Sequence, residues 1–263
     1  MVKTGHAPVN GLKMYYEIHG AGQPLVLIHG GVVGITMFGK NVDALARDRE
    51  VIAVELQGHG RTADVDRPLS YESMADDIAG LVKYLGLERV DVMGYSLGGG
   101  VALQVAIRHP EAVRKLVVVS APCKRQGMYP EVLKAMEQMG PGAAEMMKQS
   151  PLSKVYPNVN WGALFTKLGA LLSKDYDWSE QVAAIKAPTM LVFADADAVR
   201  PEHIVEFYRL LGGGQRDAGM DGSGRPLNQL AILPGQTHYT VSTAPELVTA
   251  VGPFLAAETS SHP

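Results

Sequence analysis

Short apolar runs of four to six residues alternate along this chain with longer stretches whose apolar positions recur every three or four residues. The short runs include Leu25–His29, Val51–Glu55, Val90–Met93, Leu116–Ser120, Met190–Ala194 and Gln229–Leu233. Each is rich in branched residues and bounded by Gly, Pro or charge, as strands covered on both faces are. The helical pattern is clearest in Ser70–Leu85. There Met74, Ile78, Leu81, Val82 and Leu85 share a face, Ser70 and Ser73 are candidate N-caps, and Gly86 is the stop. Leu97–Arg108, closed by His109-Pro110, and Pro201–Leu211 are further helices. Near the start, Asn10-Gly11 separates a segment ending in Ala7–Val9 from Leu12–Ile18, as a hairpin turn would. Strands alternating with helices imply an α/β fold with a mostly parallel sheet.

From Pro122 to about Trp178 the strand-like runs cease. Helical pieces are punctuated there by Gly140-Pro141-Gly142, Ser150-Pro151 and Pro157-Asn158, and Met128, Met136, Met139, Met146 and Met147 fall among them. That stretch is too long for a plain connection. It reads as a small helical lid, residues 122–178, inserted into a core domain of residues 1–121 and 179–263. The Gly-rich loop Gly212–Pro226 has no assigned role.

Composition narrows the function classes. With 46% apolar and 19% charged residues in a chain of 263, a substantial core can form, which excludes intrinsic disorder. The single cysteine, Cys123, forms no internal disulfide and reads as a small buried hydrophobe. Twenty-four basic against 27 acidic residues leave no basic excess for nucleic acid. No run approaches the roughly 18–20 apolar residues of a membrane span. Met1–Asn10 lacks the apolar segment of a secretory signal, so the cytoplasm is the default compartment. Oligomeric state leaves no mark in the sequence.

The sharpest chemical signal is Gly94-Tyr95-Ser96-Leu97-Gly98, set between the strand Val90–Met93 and the helix beginning at Leu97. A sharp strand-to-helix turn holds its middle residue in strained backbone, and glycines on either side let strand and helix approach. Ser96 would then stand at a helix N-terminus as a candidate nucleophile, although an exposed serine in a tight turn has the same letters. A neutral hydroxyl needs a base and a group to orient that base. Of the eight histidines only His238 follows the last strand, where a base would complete the order Ser, Asp, His. His6 and His262 are terminal, His19 sits in a turn before Gly20, His109 caps a helix, His203 lies early in the Pro201 helix, His29 ends a strand, and His59 sits in Gly58-His59-Gly60. Asp195 and Asp197 both follow the strand Met190–Ala194 and compete as the orienting acid. Backbone N–H groups at Gly31, in His29-Gly30-Gly31, and at Leu97 are candidate donors to a developing oxyanion.

Other motifs fail. Gly34–Asn41 nearly spells a phosphate-binding loop but ends in Asn rather than Ser or Thr. Gly98-Gly99-Gly100 does not form a dinucleotide fingerprint, and no Cys/His pair has zinc spacing. No metal or cofactor is expected.

The chain resembles the serine hydrolases of the α/β-hydrolase fold over nearly its whole length. The matching pieces are Val26–Gly31, Leu56–Thr62, Val92–Gly99, Arg108–Val113, Pro188–Val192 with Asp195-Ala196-Asp197, and Pro234–His238. Glu55 and Gln57 depart from the Asp and Pro common in that family. The resemblance implies an eight-stranded sheet, a triad of Ser96, His238 and Asp197 with Asp195 left to the turn, and an oxyanion hole at Gly31 and Leu97. It also implies hydrolysis of small to medium carboxylic esters. Lactones, including acyl-homoserine lactones, perhydrolysis and carbon–carbon bond hydrolysis suit the same residues. A receptor-like member that binds ligand with little turnover is the alternative from another class. Met37, Phe38, Tyr95, Tyr129, Trp161 and Phe165 are candidates for the pocket wall, beneath an adaptable Met-rich roof.

Overall fold

In the computed structural model, which describes residues 2–258, eight strands form one sheet. They are β1 (Lys3–Val9), β2 (Leu12–Gly20), β3 (Gln23–Ile28), β4 (Arg49–Val54), β5 (Val90–Tyr95), β6 (Val113–Val119), β7 (Thr189–Ala196) and β8 (Gln229–Thr237). Their order across the sheet is β1-β2-β4-β3-β5-β6-β7-β8. β2 pairs antiparallel with both β1 and β4, and every pairing from β4 to β8 is parallel. Asn10 and Gly11 both take positive φ, 46° and 84°, as the two-residue hairpin turn requires. His262 lies outside the described residues.

Three strands expected to end at His29, Glu55 and Ser120 stop one residue earlier. All three residues lie at the C-terminal edge of parallel strands, where the chain turns off the sheet. Ser120 does so with φ of 49°.

The helices are α1 (Asn41–Leu45), α2 (Tyr71–Tyr84), α3 (Leu97–Arg108), α4 (Pro130–Glu137), α5 (Pro141–Lys148), α6 (Leu152–Val155), α7 (Trp161–Leu172), α8 (Ser179–Ala183), α9 (Pro201–Leu210) and α10 (Pro245–Ala256). Ser70 caps α2 by accepting the Ser73 N–H at 3.0 Å. Two helices escape the sequence pattern. α1 has five residues, and α10 carries Pro253 in its interior, which blurs its periodicity.

Alternate residues of the central strands serve opposite faces. Leu25 and Leu27 pack with Val42, Leu45, Leu247 and Phe254 under α1 and α10. Val26 and Ile28 pack with Met74, Ile78, Val101 and Val105 under α2 and α3. All four strand residues are fully buried, and each contributes roughly 1.5–3 kcal/mol.

Between β6 and β7 the regular structure is helical, α4 to α8. This segment is tied to the core by Lys167 Nζ to Asp64 at 2.8 Å, and by a 2.8 Å hydrogen bond between the Tyr156 and Thr36 hydroxyls. No helix among the described residues is long and apolar enough to cross a membrane.

Candidate active site

Ser96 sits between β5 and α3 with φ of 52° and ψ of −117°, a strained conformation for a side-chain-bearing residue. The flanking glycines explain how the turn closes. A Cβ on Gly94 would lie 2.0 Å from the Gly98 carbonyl oxygen, and one on Gly98 would lie 2.4 Å from the Ile28 and His29 oxygens. Only hydrogen fits at either place, so the sequence spacing has a steric cause.

Ser96 Oγ lies 3.0 Å from His238 Nε2, and His238 Nδ1 lies 3.0 Å from Asp197 Oδ1. The three residues come from the ends of β5, β8 and β7, which adjoin one edge of the sheet. Asp197 Oδ1 also accepts the Ala198 and Val199 N–H groups, while Oδ2 accepts the Ala194 N–H and the Ser120 hydroxyl at 2.5 Å. Burial pushes the Asp197 carboxyl up, but hydrogen bonds from His238, Ser120 and Ala194 outweigh it and hold it below its ordinary value. Asp195 is exposed and accepts the Gly235 N–H at 2.9 Å, a turn role. Sequence reading missed Ser120. Its one signal is its place at the end of the strand next to the one bearing Asp197.

Tyr95, the residue before Ser96, donates its hydroxyl to the His238 carbonyl at 2.5 Å and so fixes the loop that carries the imidazole. Gly31 and Leu97 are brought together, since a Cβ on Gly31 would lie 3.8 Å from Leu97 Cδ2. Leu97 opens α3, so its N–H has no acceptor within the helix.

These residues open into a cavity of about 500 Å³. Met37 and Tyr95 line it, as do Met128, Met136, Met139 and Met147 from the segment between β6 and β7. Four expected wall residues do not. Phe38 follows Met37 in a short 3₁₀ turn, so it points another way, into the core beneath α1. Trp161 and Phe165, in the first half of α7, pack in the opposite core, while Leu168 and Leu172 from its second half reach the cavity. Tyr129 stands at the start of α4, half-buried and outside the lining.

Residues 25–251 match the alpha/beta hydrolase family. The chain belongs to that family. An α/β hydrolase relative, the putative carbamate hydrolase RutD of Azorhizobium caulinodans, is 28% identical over 212 residues, covering 73% of this chain and 80% of that protein. Among solved structures, the carboxylesterase CesB of Bacillus subtilis superposes with a TM-score of 0.78 at 21% identity, covering 98% of this chain and 93% of the other. The enol-lactonase of Burkholderia xenovorans gives 0.75 at 19% identity, covering 96% and 100%. These two likenesses show the α/β-hydrolase fold.

The other buried histidines of this α/β hydrolase serve its frame. His29 Nε2 accepts the Leu56 N–H at 3.1 Å, so Nδ1 carries the proton that it donates to the Gly30 carbonyl. His59 Nδ1 donates to the Gln57 carbonyl, and its Nε2 has no partner among the described residues. Burial pushes these imidazoles down to about 4 and about 3, with His29 adding to the effect on His59. Unfolded, both would bind protons below about 6.5. Their contribution to stability is therefore complete above that pH and is lost progressively as pH falls toward 4, on the order of several kcal/mol for the pair. The urea midpoint should drop between pH 7.5 and pH 5; a flat midpoint would contradict the assignment.

Cys123 is fully buried with Sγ 3.7 Å from His203 Nε2, and burial pushes its thiol up to about 12, so it is no nucleophile. Glu55, buried, takes the Arg61 backbone N–H and guanidinium and joins the loops after β3 and β4. Among the described residues, no group of three or more His, Cys, Asp or Glu side chains is placed to hold a metal ion.

Proposed function

We propose that this α/β hydrolase cleaves neutral carboxylic esters and lactones of small to medium size through Ser96, His238 and Asp197. The observation that carries the reading is the pair of 3.0 Å contacts linking Ser96, His238 and Asp197, of which Ser96 and His238 line an apolar cavity. Ser96 Oγ attacks the carbonyl carbon while His238 Nε2 takes its proton, and the ionised Asp197 holds Nδ1–H and stabilises the imidazolium. The N–H groups of Gly31 and Leu97 receive the oxyanion, the alcohol leaves with the proton returned by His238, and water then hydrolyses the acyl-enzyme. Among the described residues no Asp, Glu, Lys or Arg lines the cavity, which supports neutral substrates over charged ones. The helical segment of residues 122–178 serves as its lid, with four methionines forming the roof.

Covalent labelling by a fluorophosphonate, mapped by peptide mass spectrometry, tests the nucleophile. Label is expected on Ser96. Turnover of p-nitrophenyl esters from acetate to decanoate, beside a homoserine-lactone panel, then separates esterase from lactonase. An unlabelled protein silent on both panels would leave the receptor-like reading in its place.

A further inference from the structure

Most polar side chains lining the cavity are already committed. Ser96 and His238 meet each other, Ser120 donates to Asp197, and Tyr95 donates to the His238 carbonyl. Tyr239 is 79% exposed and meets solvent. Tyr71 and Tyr176 remain, both in the lining. Their rings lie 5.5 Å apart between centroids, and neither hydroxyl has a hydrogen-bond partner among the described residues. Each phenol can both donate and accept a hydrogen bond. Two unpartnered phenols in the wall of an otherwise apolar cavity mark a place where a ligand acceptor completes the site.

The pair is rigidly mounted. Tyr71 is 8% exposed, and its ring lies across Gly100, where a Cβ would come within 2.5 Å of Cε1 and 3.4 Å of the hydroxyl-bearing Cζ. Tyr176 stacks on Trp178 at 4.3 Å, and Tyr71 meets the same indole edge-on at 5.1 Å. Gly100 is four residues beyond Ser96, which is roughly 6 Å along the helix axis. The Tyr71 ring therefore lies about one helical turn from the nucleophile along α3.

Burial raises both phenols above their ordinary value, so they present hydrogen-bond donors rather than charge. A carboxylate brought to them would lose its hydration with no Lys or Arg in the lining to replace it. A neutral oxygen has no such penalty.

Resting on the hydrolase reading above, we infer that Tyr71 and Tyr176 form a polar subsite that selects substrates with a second, neutral oxygen acceptor, such as a ketone, about one helical turn from the scissile carbonyl. Plain alkyl esters would fill the apolar space but leave these donors unpaired.

The test compares p-nitrophenyl heptanoate with its 4-, 5- and 6-oxo analogues, and alkyl acetates with acetates of the matching hydroxyketones. At least one ketone isomer should exceed its alkyl counterpart about tenfold in kcat/KM. Tyr71→Phe and Tyr176→Phe should each collapse that ratio toward one, whereas a merely structural role would lower both substrates alike. The p-nitrophenyl monoester of heptanedioic acid should be turned over more slowly than the heptanoate. Absence of any ketone preference, or a ratio unchanged in both Phe variants, would overturn the inference. Failure of the hydrolase reading itself shows separately, as loss of Ser96-dependent turnover on every ester. In that event calorimetric binding of the same pairs to Ser96→Ala protein decides the subsite alone: tighter ketone binding supports it, and equal affinity overturns it.

Discussion

Ser96→Ala is expected to lower kcat for p-nitrophenyl esters on the order of 10⁴–10⁶-fold with little change in thermal stability. The size of the loss follows from removing the attacking atom while leaving the oxyanion donors, which sustain only a small residual rate over water. The stability expectation comes from what the hydroxyl touches. Ser96 Oγ meets His238 Nε2 and does not cap α3. Alanine at φ of 52° is as strained as serine, so the backbone pays the same cost in both proteins. Steady-state rates beside a thermal melt check this. A residual rate within about a hundredfold of the native protein, at unchanged melting temperature, would remove Ser96 from the nucleophile's place.

The turn around Ser96 is legible in the sequence because its causes are local. Gly94 and Gly98 are dictated by atoms within the turn and at the end of the neighbouring β3, and their spacing survives as letters. The sheet is legible for a similar reason, since strands buried on both faces read as continuous apolar runs. The walls of the cavity are not. Met37 and Phe38 are adjacent and both apolar, yet a short turn sends one into the cavity and the other into the core. Trp161 and Phe165 look like pocket aromatics, but which half of α7 overlies the cavity depends on how the segment docks. Ser120 acts across 77 residues of chain, and Tyr71 meets Tyr176 only through the packing of α2 against the loop before α8. The length of the helical segment is readable from its loss of strand pattern, whereas which of its side chains face the cavity is set by tertiary packing.

Asp197→Asn is expected to cost about 10³–10⁴-fold in kcat with KM nearly unchanged. Asp197 does not line the cavity, so substrate contacts remain. Both carboxylate oxygens are surrounded by donors, and an amide must set its NH₂ group against some of them. With nitrogen in the Oδ1 position it opposes the Ala198 and Val199 N–H groups. It also drives His238 to the tautomer protonated on Nε2, which cannot take the Ser96 proton. With nitrogen in the Oδ2 position it opposes only the Ala194 N–H, because the Ser120 hydroxyl can rotate to accept. The imidazole then keeps its tautomer, but the charge that stabilises the imidazolium is gone. The second orientation has fewer donor collisions, so Ser120→Ala in the Asn background should lower kcat further. In the native protein the Asp197 pKa is depressed, so its stabilising contribution is present above the ordinary carboxylate value of about 3.9 and is lost only as pH falls through the lower folded value. The ionisation of Asp197 should therefore add no step to the acid limb of kcat/KM above the ordinary carboxylate value. Such a step, or an Asn variant within tenfold of native activity, would show that Asp197 is not the acid that orients the base.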